Sequence, residues 1–178
     1  EFTTYLRTVG SSEWDIAAGH ALLLGIGGNI IDLKTKSQLK YNKLNFRNSE
    51  FLAFNSSENP IIKNLNNCKT IEIGGPSTMF YTKLPIYQNL RSLDVVNFSN
   101  STTWEGNIQE GYNCNYYGNR FAYQFISEAS LLTNVNNNTY DAVVSSHCLE
   151  HLANPIKGLM RWKQVLKSGG FMLLILPM

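Results

Sequence analysis

Residues 70–77, T-I-E-I-G-G-P-S, form the first pattern in this chain able to do chemistry. Alternating β-branched residues lead to Glu72, and Gly74-Gly75 then break the alternation, so the stretch reads as a buried strand entering a tight turn. Gly74 and Gly75 carry no Cβ, can take positive φ and let a nucleotide-like ligand approach the backbone, with Glu72 as a nearby acceptor. The same pattern also makes an ordinary strand-to-helix turn. A second candidate is His147-Cys-Leu-Glu150-His151, whose H-x-x-E-H spacing lets two histidines one helical turn apart share a zinc ion while the glutamate acts as base. It follows a buried strand rather than lying within a long helix, and no carboxylate follows it to supply a third ligand, so the zinc reading is set aside. His151 then stands as a candidate general base, because histidine titrates near neutrality. A third candidate is Asp15, placed where the N-cap of a helical stretch over 16–24 belongs.

These residues need a scaffold, and the composition provides for one. The chain has 178 residues, 43% hydrophobic, enough for one ordinary domain or parts of two. The formal charge of +2 comes with no basic block, which argues against a nucleic-acid or membrane-surface partner. No apolar run has the length of a transmembrane helix. Cys68, Cys114 and Cys148 lie far apart with no C-x-x-C pair, which fits a reducing, cytoplasmic setting. The sequence ends just after the apolar run 171–177, and it is read as truncated at a strand that wants cover on both faces.

Glycine and proline punctuate the chain into elements. After the helix over 16–24, Gly27-Gly28 stops it and a strand is expected over 29–33. The polar stretch 55–67, with Pro60, marks a boundary. Beyond it the order is strand 70–73, a helix or turn over 77–90, strand 92–96, an irregular polar stretch, a short strand 124–127, strand 141–145, helix 155–167 and strand 171–176. That alternation specifies an α/β fold with a mainly parallel sheet. In the last helix Asn154 caps, Pro155 suits the first turn, and Ile156, Leu159, Met160, Val165 and Leu166 make the apolar face, leaving Lys157, Arg161 and Lys167 toward solvent.

Three stretches in order, T-I-E-I-G-G-P-S, Y-D-A-V-V-S-S-H-C-L-E-H-L and V-L-K-S-G-G-F-M-L-L-I-L-P, resemble the class I S-adenosylmethionine-dependent methyltransferases that carry an L-E-H motif. The resemblance implies an α/β, Rossmann-like sheet, C-terminally truncated, over 68–178, with S-adenosylmethionine as cofactor. It implies that Glu72, Gly74 and Gly75 line the amino-acid end of the cofactor and that Asn97 holds the ribose where the family has an acid. An amide offers one acceptor where a carboxylate offers two. Asp94 is the alternative acid, expected on the same strand face from further back. Glu128 and Ala129 match the adenine position, and Ser145, Ser146 and His147 the mouth of the site. Pro76-Ser77 replaces the family's later glycine. A nicotinamide-dependent enzyme is disfavoured, since G-x-G-x-x-G is absent.

Residues 1–54, with S-E-W-D-I-A-A-G-H-A and G-G-N-I-I-D-L, resemble the C-terminal part of the inositol monophosphatase superfamily, nearest its adenosine 3′,5′-bisphosphate nucleotidase branch. There Asp15 would be a Mg²⁺ ligand, but the partner acidic motifs are missing, so Mg²⁺ is expected only were that α/β fragment complete. Residues 55–67 then serve as a linker. The aromatic and glycine-rich stretch 98–123 offers Trp104, Tyr112, Tyr116 and Tyr117 either to an acceptor or as anchors of an insertion on the sheet. Its N-F-S…W-E-G wording resembles methyltransferase-like proteins of polysaccharide biosynthesis, implying a glycan or small-molecule acceptor. The competing expectations are a cofactor-binding domain without catalysis and a phosphatase remnant fused to it.

Overall fold

A computed structural model describes residues 4–8, 10–25, 27–54, 60–102 and 106–176, which fall into two compact units divided after Asn64. Trp104 lies outside the described residues.

The first unit contains β1 (Thr4–Arg7), β2 (Ser11–Ser12), α1 (Glu13–Gly25), β3 (Asn29–Asp32), β4 (Arg47–Asn48) and β5 (Phe51–Phe54). β5 is the centre of an antiparallel sheet ordered β1-β5-β3. Ile30, Leu39, Phe51 and Ala53 form its core, with Ile16 and Leu23 of α1 and Tyr41 packed on them. The helix begins earlier than expected. Asp15 is therefore its third residue, not its N-cap, and its Oδ2 accepts the Ser12 N–H at 2.8 Å, the reciprocal half of a capping box. Glu13 holds the loop beyond β3: it accepts the backbone N–H groups of Asn42 and Lys43 and the Lys43 ammonium, which together hold its carboxyl below the usual range.

Of the stretch expected to be a linker, Pro60–Leu65 forms the short helix α2. The second unit then runs β6 (Lys69–Ile73), a π turn (Met79–Lys83), a 3-10 turn (Tyr87–Asn89), β7 (Ser92–Asn97), the small hairpin β8 (Ser101–Thr102) and β9 (Gly106–Asn107), β10 (Gly111–Tyr117), β11 (Arg120–Ile126), β12 (Tyr140–Ser146), a 3-10 turn (Leu149–His151), α3 (Pro155–Val165) and β13 (Leu166–Ile175). The sheet order is β10-β11-β7-β6-β12-β13, parallel throughout except for β10 against β11. This mixed α/β architecture with a mostly parallel sheet is that of a Rossmann-like fold.

The stretch 98–123 is not irregular. Its second half forms β10 and the start of β11, joined at Gly118 (φ 55°). Polar asparagines between the aromatic positions mask the strand pattern. Tyr116 is buried and meets Tyr87 edge-on at 5.7 Å, Tyr112 meets Tyr123 edge-on at 5.0 Å, and Arg120 donates to the carbonyls of Tyr87, Leu90 and Arg91. These contacts fasten the hairpin beside β7.

On one sheet face Ile71, Ile73, Val96, Val143, Trp162 and Val165 share a core. Asn154 caps α3 as expected, accepting the Lys157 N–H at 2.9 Å. The buried stripe differs from the expected one: Ile156 and Met160 are exposed, while Gly158, Trp162 and Val165 face the sheet. A Cβ on Gly158 would lie 2.6 Å from Leu152 Cδ1, so a larger residue there would require the Leu152 side chain to shift. Trp162 is fully buried and donates its Nε1–H to the Ala129 carbonyl at 2.8 Å. Truncating a ring so placed costs roughly 3–5 kcal/mol. Arg161, expected in solvent, instead donates to the carbonyls of Leu131, Leu132 and Val135. The connection from β11 to β12 lacks a helix, and this guanidinium satisfies backbone acceptors that a helix would have satisfied internally.

At the opposite edge Asp141, in the first turn of β12, accepts the Lys69 N–H at 2.8 Å, the Arg91 guanidinium at 2.9 Å and the Lys167 ammonium at 2.7 Å, thus joining β6, β12 and β13. The Lys167 bond above all, with those to Lys69 and Arg91, outweighs partial burial and holds the carboxyl below its ordinary value. A carboxylate so lowered stabilises the fold above about pH 4 and loses that contribution as pH falls through its folded pKa. In urea titrations Asp141→Asn should cost on the order of 1 kcal/mol at pH 7. The gap to wild type should shrink toward pH 3, and an equal gap at both pH values would refute the assignment.

Candidate functional site

The parallel strands β6, β7, β11 and β12 all end at one edge of the sheet, which brings together Gly74, Asn97, Ser127 and Ser146. Backbone bonds knit this edge: Gly74 N–H to the Val96 carbonyl, Ser127 N–H to that of Asn97 and His147 N–H to that of Ile175, each 2.9 Å. Strand order reverses between β6 and β12, and open α/β sheets take their ligands at such a switch point. Gly74 and His147 flank it, both exposed and both at positive φ, 78° and 52°. A Cβ on Gly74 would lie 3.1 Å from the Cβ and Sγ of Cys148, so glycine serves both the conformation and the close approach. Burial pushes the Cys148 thiol up to about 11, which keeps it protonated beside the turn.

Glu72 is not an open acceptor. It is fully buried, with Oε1 accepting the Ser77 N–H at 3.0 Å and Oε2 the Tyr87 hydroxyl at 2.6 Å. Burial, then the Glu72 charge, raises the Tyr87 phenol far above its ordinary value, so it remains a donor. Gly75 lies against this carboxylate: a Cβ there would sit 2.3 Å from Glu72 Cδ. Asn97 is buried as well, and its Nδ2 donates to the Gly75 carbonyl at 2.8 Å. An ionised aspartate could not make that bond, which gives a physical reason for an amide at this position. The turn is thus held from beneath by Glu72, Asn97 and Tyr87. Tyr87 and Ser77 carried no local sequence signal for this role, because the partnership spans a segment with no regular periodicity.

The remaining candidates divide by exposure. Ser145 is buried and donates to the Ile73 carbonyl at 3.1 Å, within the sheet. Ala129 is buried under α3, whereas Glu128 is exposed and accepts the Ser130 hydroxyl at 2.6 Å. The Ser146 hydroxyl and His147 Nδ1 are 2.8 Å apart. His151 is exposed, with Nε2 3.9 Å from Glu150 Oε1. Asp94 is three residues before Asn97, so strand alternation turns it to the opposite face, where it accepts the Tyr140 hydroxyl at 2.9 Å. This corrects the expectation that it shares a face with Asn97.

For a cofactor of the S-adenosylmethionine type the fit rests on the exposed Gly74 turn, the Glu128 carboxylate and the exposed end of β12 at His147. Glu72 and Asn97 would act through the turn they hold. For metal, no group of three or more His, Cys, Asp or Glu side chains able to hold an ion occurs among the described residues, and Asp15 is exposed at the start of α1.

Beside the turn lie two cavities that share Pro76 and Asn115 in their linings. One, of about 770 Å³, is lined by side chains that include Asn100, Asn107, Gln109, Asn113 and Gln124. The other, of about 430 Å³, is lined by Tyr81, Tyr87, Tyr116 and Tyr117 among others.

Residues 113–174 match the family described as a methyltransferase domain. No curated protein matches the chain. Among solved structures, a chain of the complex between the Haloferax volcanii Trm112 methyltransferase activator and the putative methyltransferase is 15% identical, with 60% of this chain and 44% of that chain covered at a TM-score of 0.41. An arsenic(III) S-adenosylmethionine methyltransferase, CrArsM of Chlamydomonas reinhardtii, is 14% identical, with 65% and 44% covered at a TM-score of 0.44. The present chain spans less than half the length of either. Residues 113–174, which run from β10 into β13, are thus similar to a methyltransferase domain over about a third of the chain.

Proposed function

We propose that this chain transfers the methyl group of S-adenosylmethionine to a nucleophilic atom of an acceptor, and that the acceptor is a glycan or a glycan precursor. The observation that carries the reading is the coincidence of two independent features: the methyltransferase match over 113–174 and a switch point at Gly74 and His147. The glycan reading is supported by tyrosine faces with hydroxyl tips beside the turn, at Tyr81 and Tyr117.

When bound, the cofactor supplies a methyl group activated by its positively charged sulfur. The chain's part is alignment and exclusion of water. Gly74 offers exposed backbone, and Gly75 is fixed by Glu72 and Asn97 so that the turn does not reorganise when ligand arrives. Glu128 is the exposed acceptor for an amine of the adenine type. His151, exposed just beyond β12, is the base for an acceptor hydroxyl that has to lose its proton. In this reading the first unit is a remnant or fusion partner, its Asp15 committed to the helix start.

A second reading, cofactor binding without catalysis, draws on the commitment of Glu72 and Asn97 to the turn rather than to solvent. Two measurements separate the readings. S-adenosylhomocysteine should bind saturably in isothermal titration, and Gly74→Val should weaken it at least about tenfold, since a β-branched residue at that φ adds roughly 1–3 kcal/mol of strain. No heat at millimolar ligand ends both readings. Binding without methyl release to any acceptor selects the second.

Asn97→Asp discriminates between roles for that side chain. Replacing the donor by a carboxylate facing the Gly75 carbonyl should cost about 1–3 kcal/mol and weaken S-adenosylhomocysteine roughly 5- to 100-fold. Tighter binding would instead mean that residue 97 meets the ribose directly.

A further inference from the structure

We infer that the two cavities flanking β10 form one acceptor site for an uncharged oligosaccharide of at least two rings. This rests on the methyl-transfer reading for its purpose, but the recognition chemistry is independent of it. The described residues lining the larger cavity include Asn100, Ser101, Asn107, Gln109, Asn113 and Gln124 beside Pro76, Ile108 and Cys114, with no charged side chain among them, and the Asn113 and Gln124 amides already donate to the Gln109 carbonyl. Such side chains donate and accept together, which matches hydroxyl groups that also do both and matches phosphate or carboxylate poorly. The described residues leave the side chains of Asn100 and Asn107 without a hydrogen-bond partner, so their capacity is available to a ligand.

The smaller cavity supplies the complementary surface. Tyr81 is 54% exposed and tilted against Tyr117, with ring centroids 6.1 Å apart, and both rings line the cavity. Sugar rings carry apolar C–H faces as well as hydroxyl edges, and an aromatic face receives the former. Among the described residues, no charged side chain lines this cavity either. Arg120, the nearest cation on the hairpin, lies 5.2 Å from the Tyr116 ring and spends its donors on backbone carbonyls.

The two spaces meet at Pro76 and Asn115, and volumes of about 770 and 430 Å³ each lie in the range of ligand sites. A single ring does not reach from the amides to the tyrosines, so engaging both requires a second. Pro76 follows Gly75 directly, so the junction of the two spaces adjoins the turn assigned to the methyl donor.

The test titrates the full chain with cellotetraose, maltotetraose, mannotetraose and N,N′,N″,N‴-tetraacetylchitotetraose, the matching monosaccharides, tetragalacturonate and uridine monophosphate, read by saturation-transfer NMR. At least one neutral tetrasaccharide should bind saturably, tenfold or more tighter than its monosaccharide and than the two anions. Tyr81→Ala and Asn107→Ala should each weaken it about tenfold while S-adenosylhomocysteine affinity and the melting temperature stay at wild-type values. Equal affinity for the monosaccharide overturns the two-subsite assignment, and preference for tetragalacturonate or the nucleotide overturns the uncharged one. Absence of binding by every neutral probe overturns the proposal as a whole. Loss of S-adenosylhomocysteine binding alone would remove the methyl-transfer reading and leave saccharide recognition standing.

Discussion

A buried carboxylate under a glycine turn governs this structure. A carboxyl buried out of water is costly unless its oxygens find partners, and those of Glu72 find the Ser77 N–H and the Tyr87 hydroxyl. That requirement fixes the path of the chain after β6, because Ser77 has to fold back over residue 72 and Tyr87 has to return beneath it. Tyr87 then passes the constraint on. It meets Phe80 edge-on at 6.4 Å within its own connection and Tyr116 at 5.7 Å in the hairpin. The glycine turn, the β6 to β7 connection and the β10 strand are thereby one packed unit, and the cavities beside Pro76 inherit their walls from it.

The same economy of helices shapes the other face. α3 is the one full helical crossover among the described residues of the second unit, between β12 and β13. The β11 to β12 connection is held by two side chains of that helix, Arg161 on three carbonyls and Trp162 on the Ala129 carbonyl. A loop with backbone acceptors near a core needs such donors. Glu128 stands at the start of this clamped segment, so its placement at the strand ends depends on residues more than thirty positions later.

Elements with a strong local pattern were legible in the sequence. The strands at Ile71, Val95 and Val143 and the Asn154 cap follow directly from alternation and capping chemistry. The β10 strand was not, because asparagines and glycines interrupt its aromatic alternation and because one of its anchors, Tyr87, lies outside the stretch. The face of α3 was misjudged for a related reason. Ile156 and Met160 are apolar yet exposed, while Gly158, which has no side chain to signal a face, is buried against Leu152. At the site, the glycine turn was legible and its supports were not: Glu72 and Asn97 read as groups for a ligand, but the fold spends them on the turn itself.

That difference bears on how the departure at Asn97 is understood. Where a family pattern calls for an acid, an amide reads as a weakened contact if only the ligand is considered. Considered with Gly75, the amide is the residue type able to donate to a carbonyl from inside the sheet while still carrying an acceptor oxygen. An acid in its place would put two acceptors face to face in a buried position, beside the Glu72 charge already there. The turn therefore selects against a second carboxylate beneath it. A ligand at this edge would meet a rigid backbone and the exposed Glu128 in place of a row of buried acids.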